Sequence, residues 1–162
     1  MKTTIFLALF LFVNSIAASA QTSDAEADAM LNLLGVQKRE IISKLVEVSK
    51  RDSIAFWKLY DEYQASNKVT AKARLRLYER TAKAYLEMSP TVADSLANRY
   101  FANRLEQEKN LENYYRKMKA ATNAITAFEF YQAETYLLTQ IRSQIMQQIP
   151  TYGQARQMMK GH

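Results

Sequence analysis

Five cations recur along one stretch of the chain: Lys68, Lys72, Arg76, Arg80 and Lys83, with only Glu79 close by to offset them. On a helix the first four share a face. Such a row is either an ordinary solvated face or a positive surface that draws in flexible, partly acidic polypeptides by long-range attraction. On the second reading these five are the candidate client-binding residues. The chemistry of bond-making is poorly provided for. The chain has no cysteine and a single histidine, His162, the last residue. Thiolate nucleophiles, Cys-ligated metals and a Ser-His-Asp arrangement are therefore excluded. Glu108 and Glu112 form a carboxylate pair at helical spacing, but Arg104 and Arg116 flank them one turn away on either side, as in ordinary helix ion pairs. No Gly-rich phosphate loop occurs. Met158, Met159 and His162 make a soft-ligand tail that suits copper only weakly, and no preformed geometry supports it. We therefore expect no catalysis, no cofactor and no metal.

A second set carries contact area instead of reactivity. Phe56, Trp57, Tyr60 and Tyr63 fall on one helical face. They read first as core, because each ring buries ~150–250 Å². The competing reading is a client-binding platform, and Trp57 beside Phe56 widens the face enough to leave one ring near the surface. Ten tyrosines and seven methionines suit adaptable contact surfaces and loosely packed helical cores alike.

The elements that must position these residues are helices. Of 162 residues, 48% are hydrophobic and 23% charged, with only 3 Gly and 2 Pro. That leaves too few turn residues for a sandwich, barrel or doubly wound sheet. The fold class is all-α, a long-helix hairpin or bundle of about four to five helices. The first twenty residues, MKTTIFLALFLFVNSIAASA, follow the plan of a secretory signal peptide: basic Lys2, an apolar run from Ile5 to Val13, and Ala18-Ser19-Ala20 at the cleavage position. The run is shorter than the ~20 residues that span a bilayer. Cleavage after Ala20 would leave an exported, periplasmic protein with no membrane span. Removing Lys2 leaves 21 basic against 16 acidic residues, and this basic surplus then concerns acidic polypeptides or anionic surfaces and not nucleic acid.

Along the mature chain, Ser23 and Glu26 have capping-box spacing, and residues 21–35 read as a leading acidic helix or linker ending near Gly35. A helical domain follows over 36–150. Ile41, Ile42, Leu45, Val46 and Val48 precede a break. Ser49, with Asp52 three residues on, starts the aromatic helix, which is expected to stop at Ser66-Asn67. Residues 68–88 carry a stripe of Ala71, Leu75, Tyr78, Ala82 and Tyr85. Ser89-Pro90 opens the next helix by placing a hydroxyl at the N-cap and proline at N1. From Thr91 to about Lys119 its seam is Val92, Leu96, Tyr100, Leu111, Tyr114 and Met118, a rod of roughly 40 Å. The last helix, about Asn123–Gln148, presents Phe128, Tyr131, Leu138, Ile141 and Ile145. Residues 151–162 read as a flexible tail.

Two blocks carry a resemblance. VSKRDSIAFWKLYDEYQ, Val48–Gln64, resembles the LT-x-x-E-A-x-x-F-W-x-x-Y-x-x-Y block of a family of exported bacterial helical proteins, with Val48, Ser49, Phe56, Trp57, Tyr60 and Tyr63 at the motif positions. ITAFEFYQAETYLLTQIRSQIMQQIP, Ile125–Pro150, is similar to that family's tail through Phe130, Gln132, Glu134 and Ile149-Pro150. Met88-Ser89 occupies the place of a second Leu-Thr pair. The family is similar in plan to the Spy/CpxP-type periplasmic proteins with LTxxQ motifs. This chain has Val-Ser and Met-Ser in place of Leu-Thr, and no motif glutamine. The resemblance implies a small helical protein, dimeric in that group, that acts as an ATP-independent chaperone or as a stress-sensor partner. The expected partners are thus unfolded envelope polypeptides or one dedicated envelope protein, with a homodimer as the possible assembly.

Overall fold

The computed structural model describes residues 24–160. The leader at 1–20, its cleavage after Ala20, the Ser23 cap and His162 lie outside the described residues. Those described form an all-α bundle of four long helices and one short one, with no strand among them. The helices are α1 (Asp24–Leu45), α2 (Ser53–Ala84), α3 (Pro90–Ala121), α4 (Ala124–Gln148) and α5 (Tyr152–Lys160), with a 3₁₀ turn at Tyr85–Glu87. Helices α2 and α3 form the dominant hairpin, α4 folds back along α3, and α1 lies against both α2 and α4. None of the described helices is long and apolar enough to cross a membrane.

The helix starts obey their side chains. Ser89 Oγ accepts the Val92 N–H at 3.2 Å ahead of Pro90. Asn123 Oδ1 accepts from Ile125 and Thr126 at 2.9 and 3.0 Å, which sets the start of α4. Ser49 Oγ accepts the Asp52 N–H at 3.2 Å and donates to the Asp52 carboxylate at 2.8 Å, which closes the turn just ahead of α2; Asp52, the N-cap of α2, makes no side-chain cap bond of its own.

The expected breaks at Gly35 and at Ser66-Asn67 are absent. Helix α1 runs through Gly35 for 22 residues, so the leading segment is a docked part of the bundle, with Ala27 fully buried. Helix α2 runs 32 residues without a Gly or Pro to stop it. Ser66 and Asn67 serve the helix interface instead: Ser66 Oγ donates to Asn110 Oδ1 at 2.9 Å, and Asn67 is buried. In the stripe that follows, Leu75 and Tyr78 are buried as expected, whereas Ala82 is exposed and Leu77 is buried in addition. The expected tail contains α5, started by Thr151 and Gln154 exchanging hydrogen bonds and held by Tyr152 against Tyr85 at 5.7 Å between ring centroids.

The main core fills one end of the bundle, where Ile42, Phe56, Tyr60, Tyr63, Leu111, Tyr114, Met118 and Phe130 meet. Phe130 is the plug. Its ring meets Phe56, Tyr60 and Tyr63 edge-on at 6.4, 6.2 and 5.3 Å, the geometry aromatic quadrupoles favour. The apolar face read for α4 is corrected accordingly. Phe128 and Tyr131 point outward, and the helix buries Ala127, Phe130, Ala133, Glu134 and Leu137. A charged residue in the middle of that face disguised it, and the two alanines let the helices approach closely. Beyond the aromatic end the interface turns polar, with Asn67, Thr70 and Gln107 buried between α2 and α3. Arg74 Nε donates there to Asn103 Oδ1 at 2.8 Å, and Asn103 donates to the Thr70 carbonyl at 2.9 Å.

Candidate functional site

Lys68, Lys72 and Arg76 do lie on one face of α2, but the first turns of α1 already cover it. Lys68 pairs with Asp28 at 3.3 Å and Lys72 with Asp28 at 3.1 Å, while Arg76 bridges Asp24 and its own neighbour Glu79. Hydrogen bonding from Arg76, then the charge of Lys72, hold the Asp24 carboxyl below its ordinary range. Hydrogen bonds from Lys72 and Lys68 do the same for Asp28. The row therefore splits. Three of its members clamp the acidic start of α1. Arg80 and Lys83, further along, are exposed and make no ion pair among the described residues. Sequence spacing placed the five cations correctly and missed the partners, because the acids that neutralise them come from a different helix.

The residues of the two resembling blocks converge in part. Phe56, Tyr60, Tyr63, Phe130 and Glu134 share the main core, with Val48 and Trp57 packed half-buried against it. Ser89 caps α3, with Met88 half-buried before it, whereas Ser49, expected to start the aromatic helix, instead closes the turn that precedes α2, whose N-cap is Asp52. Gln132 is exposed, and Pro150 offers its carbonyl to Tyr85 Oη at 2.7 Å. The surface ring is Trp57, over which the Arg39 guanidinium stacks at 4.4 Å while pairing with Asp61.

Glu134 completes a buried polar node that sequence reasoning did not assemble. Lys38, 4% exposed, donates from Nζ to Oε1 of Glu134, which is 0% exposed. Tyr63 Oη donates to the same oxygen at 2.8 Å. Lys38 also reaches Gln64 Oε1 at 3.3 Å, and Gln64 donates to Tyr60 Oη at 2.7 Å. Glu134 Oε2 has no hydrogen-bond partner among the described residues. Burial, and then the neighbouring Glu134 charge, push both the Tyr60 and Tyr63 phenols well above their ordinary value. This node ties α1, α2 and α4 together. The only cue in the sequence was a lysine and a glutamate at apolar positions of their helices.

Beside the node, α1, α2 and α4, with Gln107 of α3, line a partly open cavity of about 360 Å³. Leu31, Leu34, Leu75, Leu138, Ile141 and Ile145 supply apolar wall; Lys38, Asn67, Gln107, Arg74 and Arg142 supply polar wall. Arg74, Tyr78 and Arg142 also border a second cavity of about 380 Å³ toward Phe101, Met146 and Pro150. Burial lowers the Arg74 guanidinium from its ordinary value; Arg142 and Arg104 lower it further, against the opposing pull of Tyr78 and Glu108. Arg142 reaches Gln107 Oε1 at 3.4 Å, and neither Arg74 nor Arg142 has a carboxylate partner among the described residues.

On the outside of the α3–α4 pair, Tyr115, Tyr131 and Phe128 form a connected ring cluster, with centroids 6.4 Å apart for Tyr115–Tyr131 and 6.3 Å for Phe128–Tyr131. Phe128 is 50% and Tyr131 40% exposed. Elsewhere on α3, Phe101 and Leu105, one turn apart, are also exposed. Among the described residues no group of three or more His, Cys, Asp or Glu comes together. No family model, curated protein or solved structure matches the chain.

Proposed function

We propose that this is an exported, non-catalytic binding protein that holds unfolded or partly folded envelope polypeptides without ATP. The observation that carries the reading is the exposed Phe128–Tyr131 ring pair on the α3–α4 face, anchored through half-buried Tyr115 to the core. Phe128 and Tyr131 lie outside the buried aromatic core, which is complete without them. Tyrosine and phenylalanine offer large contact area at low entropic cost. The retaining surface is thus aromatic, and charge contributes through Arg80 and Lys83, the two members of the basic row that α1 leaves uncovered. Weak, dispersed contacts let a client depart as it folds, since tight binding of the unfolded state would oppose folding.

The test is aggregation of a chemically denatured model client, diluted at low salt into a stoichiometric amount of the purified protein. Suppression that is lost in the Phe128→Ser/Tyr131→Ser variant supports the reading. No suppression by the wild-type protein rejects it. The runner-up, a regulator of one membrane stress sensor, predicts one stoichiometric partner captured from envelope extract instead of a broad client set. A second copy covering the same rings would appear as a dimer in light scattering that the double variant dissolves.

A further inference from the structure

We propose that the cavity between α1, α2 and α4 binds a single-chain amphiphile with an anionic head, its alkyl chain against Leu34, Leu138, Ile141 and Ile145 and its head at Arg74 and Arg142.

Three independent features point there. The first is size and lining. At about 360 Å³ the cavity falls within the range of small-molecule sites, roughly 300–1,000 Å³ with mostly apolar walls and a few placed polar groups. The second is charge. Arg74 and Arg142 border the cavity and make no salt bridge among the described residues; Arg74 donates to Asn103, Arg142 to Gln107, and burial of Arg74 outweighs the pull of Glu108. Elsewhere the chain neutralises its inward cations, as with Lys38 by Glu134 and Lys72 by Asp28. Two like charges beside an apolar chamber are satisfied by an anion, and a planar guanidinium presents the paired donors that carboxylate and phosphate oxygens accept. The third is Gly35. It lies with Leu31, Lys38 and Ile42 on the inward face of α1, yet a Cβ built on it meets nothing within 4 Å. Glycine inside a helix interior usually permits close packing; here it keeps space open, at a cost in helix propensity. The apolar wall of this partly open cavity faces water when empty, and an alkyl chain would remove that surface from water. This inference does not depend on the polypeptide-binding reading, because it uses a different surface and a different ligand class.

The experiment is calorimetric titration of the purified protein with dodecanoate, dodecyl phosphate, dodecyltrimethylammonium and acetate, all below micelle-forming concentrations. The two anionic amphiphiles are expected to saturate with one ligand per chain. The cationic amphiphile and acetate are expected not to bind. Arg142→Gln should weaken dodecanoate roughly tenfold, as loss of a charge-assisted hydrogen bond does. Gly35→Leu should abolish binding without lowering the melting temperature, because its side chain fills the chamber. Should Gly35→Leu disturb the fold, as judged by circular dichroism, Arg142→Gln alone decides. Dodecyl phosphate binding with dodecanoate excluded would assign the site to phosphate heads, and the reverse to fatty acids; either supports the site. Absence of binding by both anions, or equal binding of the cationic amphiphile, overturns it, as does unchanged affinity in Arg142→Gln.

Discussion

Replacing Lys38 by methionine tests the strongest internal contact in the bundle. Methionine keeps much of the unbranched stem and fills irregular space, so the main loss is the charge. Glu134 is then left fully buried with the Tyr63 hydroxyl at 2.8 Å as its remaining donor, since its second oxygen already has no partner. Breaking one side of a buried ion pair costs ~3–5 kcal/mol, because the other charge stays desolvated and uncompensated. Against a typical total of ~5–15 kcal/mol this is a large fraction. For a chain of this size it corresponds to a fall in Tm of roughly 10 °C or more. The exposed Arg39–Asp61 pair, with side chains 43% and 62% accessible, provides the contrast. Asp61→Asn should change stability by less than about 1 kcal/mol. The double variant Lys38→Met/Glu134→Leu should recover most of the loss, since an apolar pair of similar volume removes both desolvation costs. Its residual deficit comes from Tyr63, whose hydroxyl loses its acceptor, and adding Tyr63→Phe should remove it. Urea and thermal unfolding followed by far-UV circular dichroism measure each variant. If Lys38→Met and Asp61→Asn cost the same small amount, the node does not hold α1 to α4 and the reasoning is wrong.

Ser89→Ala removes the side-chain acceptor for the Val92 N–H and should destabilise the protein by ~1 kcal/mol, read as a lower urea midpoint with unchanged slope; no shift would mean that Pro90 alone sets the start of α3. The carboxyls of Asp24 and Asp28 are held below the ordinary value of 3.8 when folded. Depressed acids stabilise the state in which they are charged, so their contribution is present above that value and is lost as pH falls below it. Hydrogen-exchange protection in the first turns of α1 should therefore drop selectively on acidification below about 3.8, and Asp24→Asn/Asp28→Asn should show the same loss at neutral pH. Equal protection of those turns at pH values on both sides would show that apolar burial of Ala27, not charge, docks the segment.

What was legible in the sequence follows from how local the signals are. Ser89-Pro90 marks a helix start because the cap and the missing N–H act within one turn, and the structure makes that hydrogen bond. The aromatic face of α2 was readable because three of its rings lie in one buried row. Failures came where a tertiary partner changed a residue's meaning. Ser66-Asn67 resembles an ending only in isolation; packed on Asn110 of α3, it is interface. Glu134 hid the inward face of α4, since a carboxylate in a core is unreadable until Lys38 and Tyr63 are brought to it. Gly35 looked like a stop because nothing local reveals that the helix continues past a cavity. The basic row was seen in full while its counter-charges, Asp24 and Asp28, lie forty or more residues upstream on another helix.

On the function proposed above, other polypeptides are gripped by the aromatic α3–α4 face. Photo-crosslinking tests it directly: a photoreactive phenylalanine analogue is placed at Tyr131, at Phe128 or, for comparison, at Glu26 on α1, and a denatured client is added. Client adducts are expected from Tyr131 and Phe128 and few from Glu26. Adducts from Glu26 alone, or from none of the three in a protein that still suppresses aggregation, would contradict it.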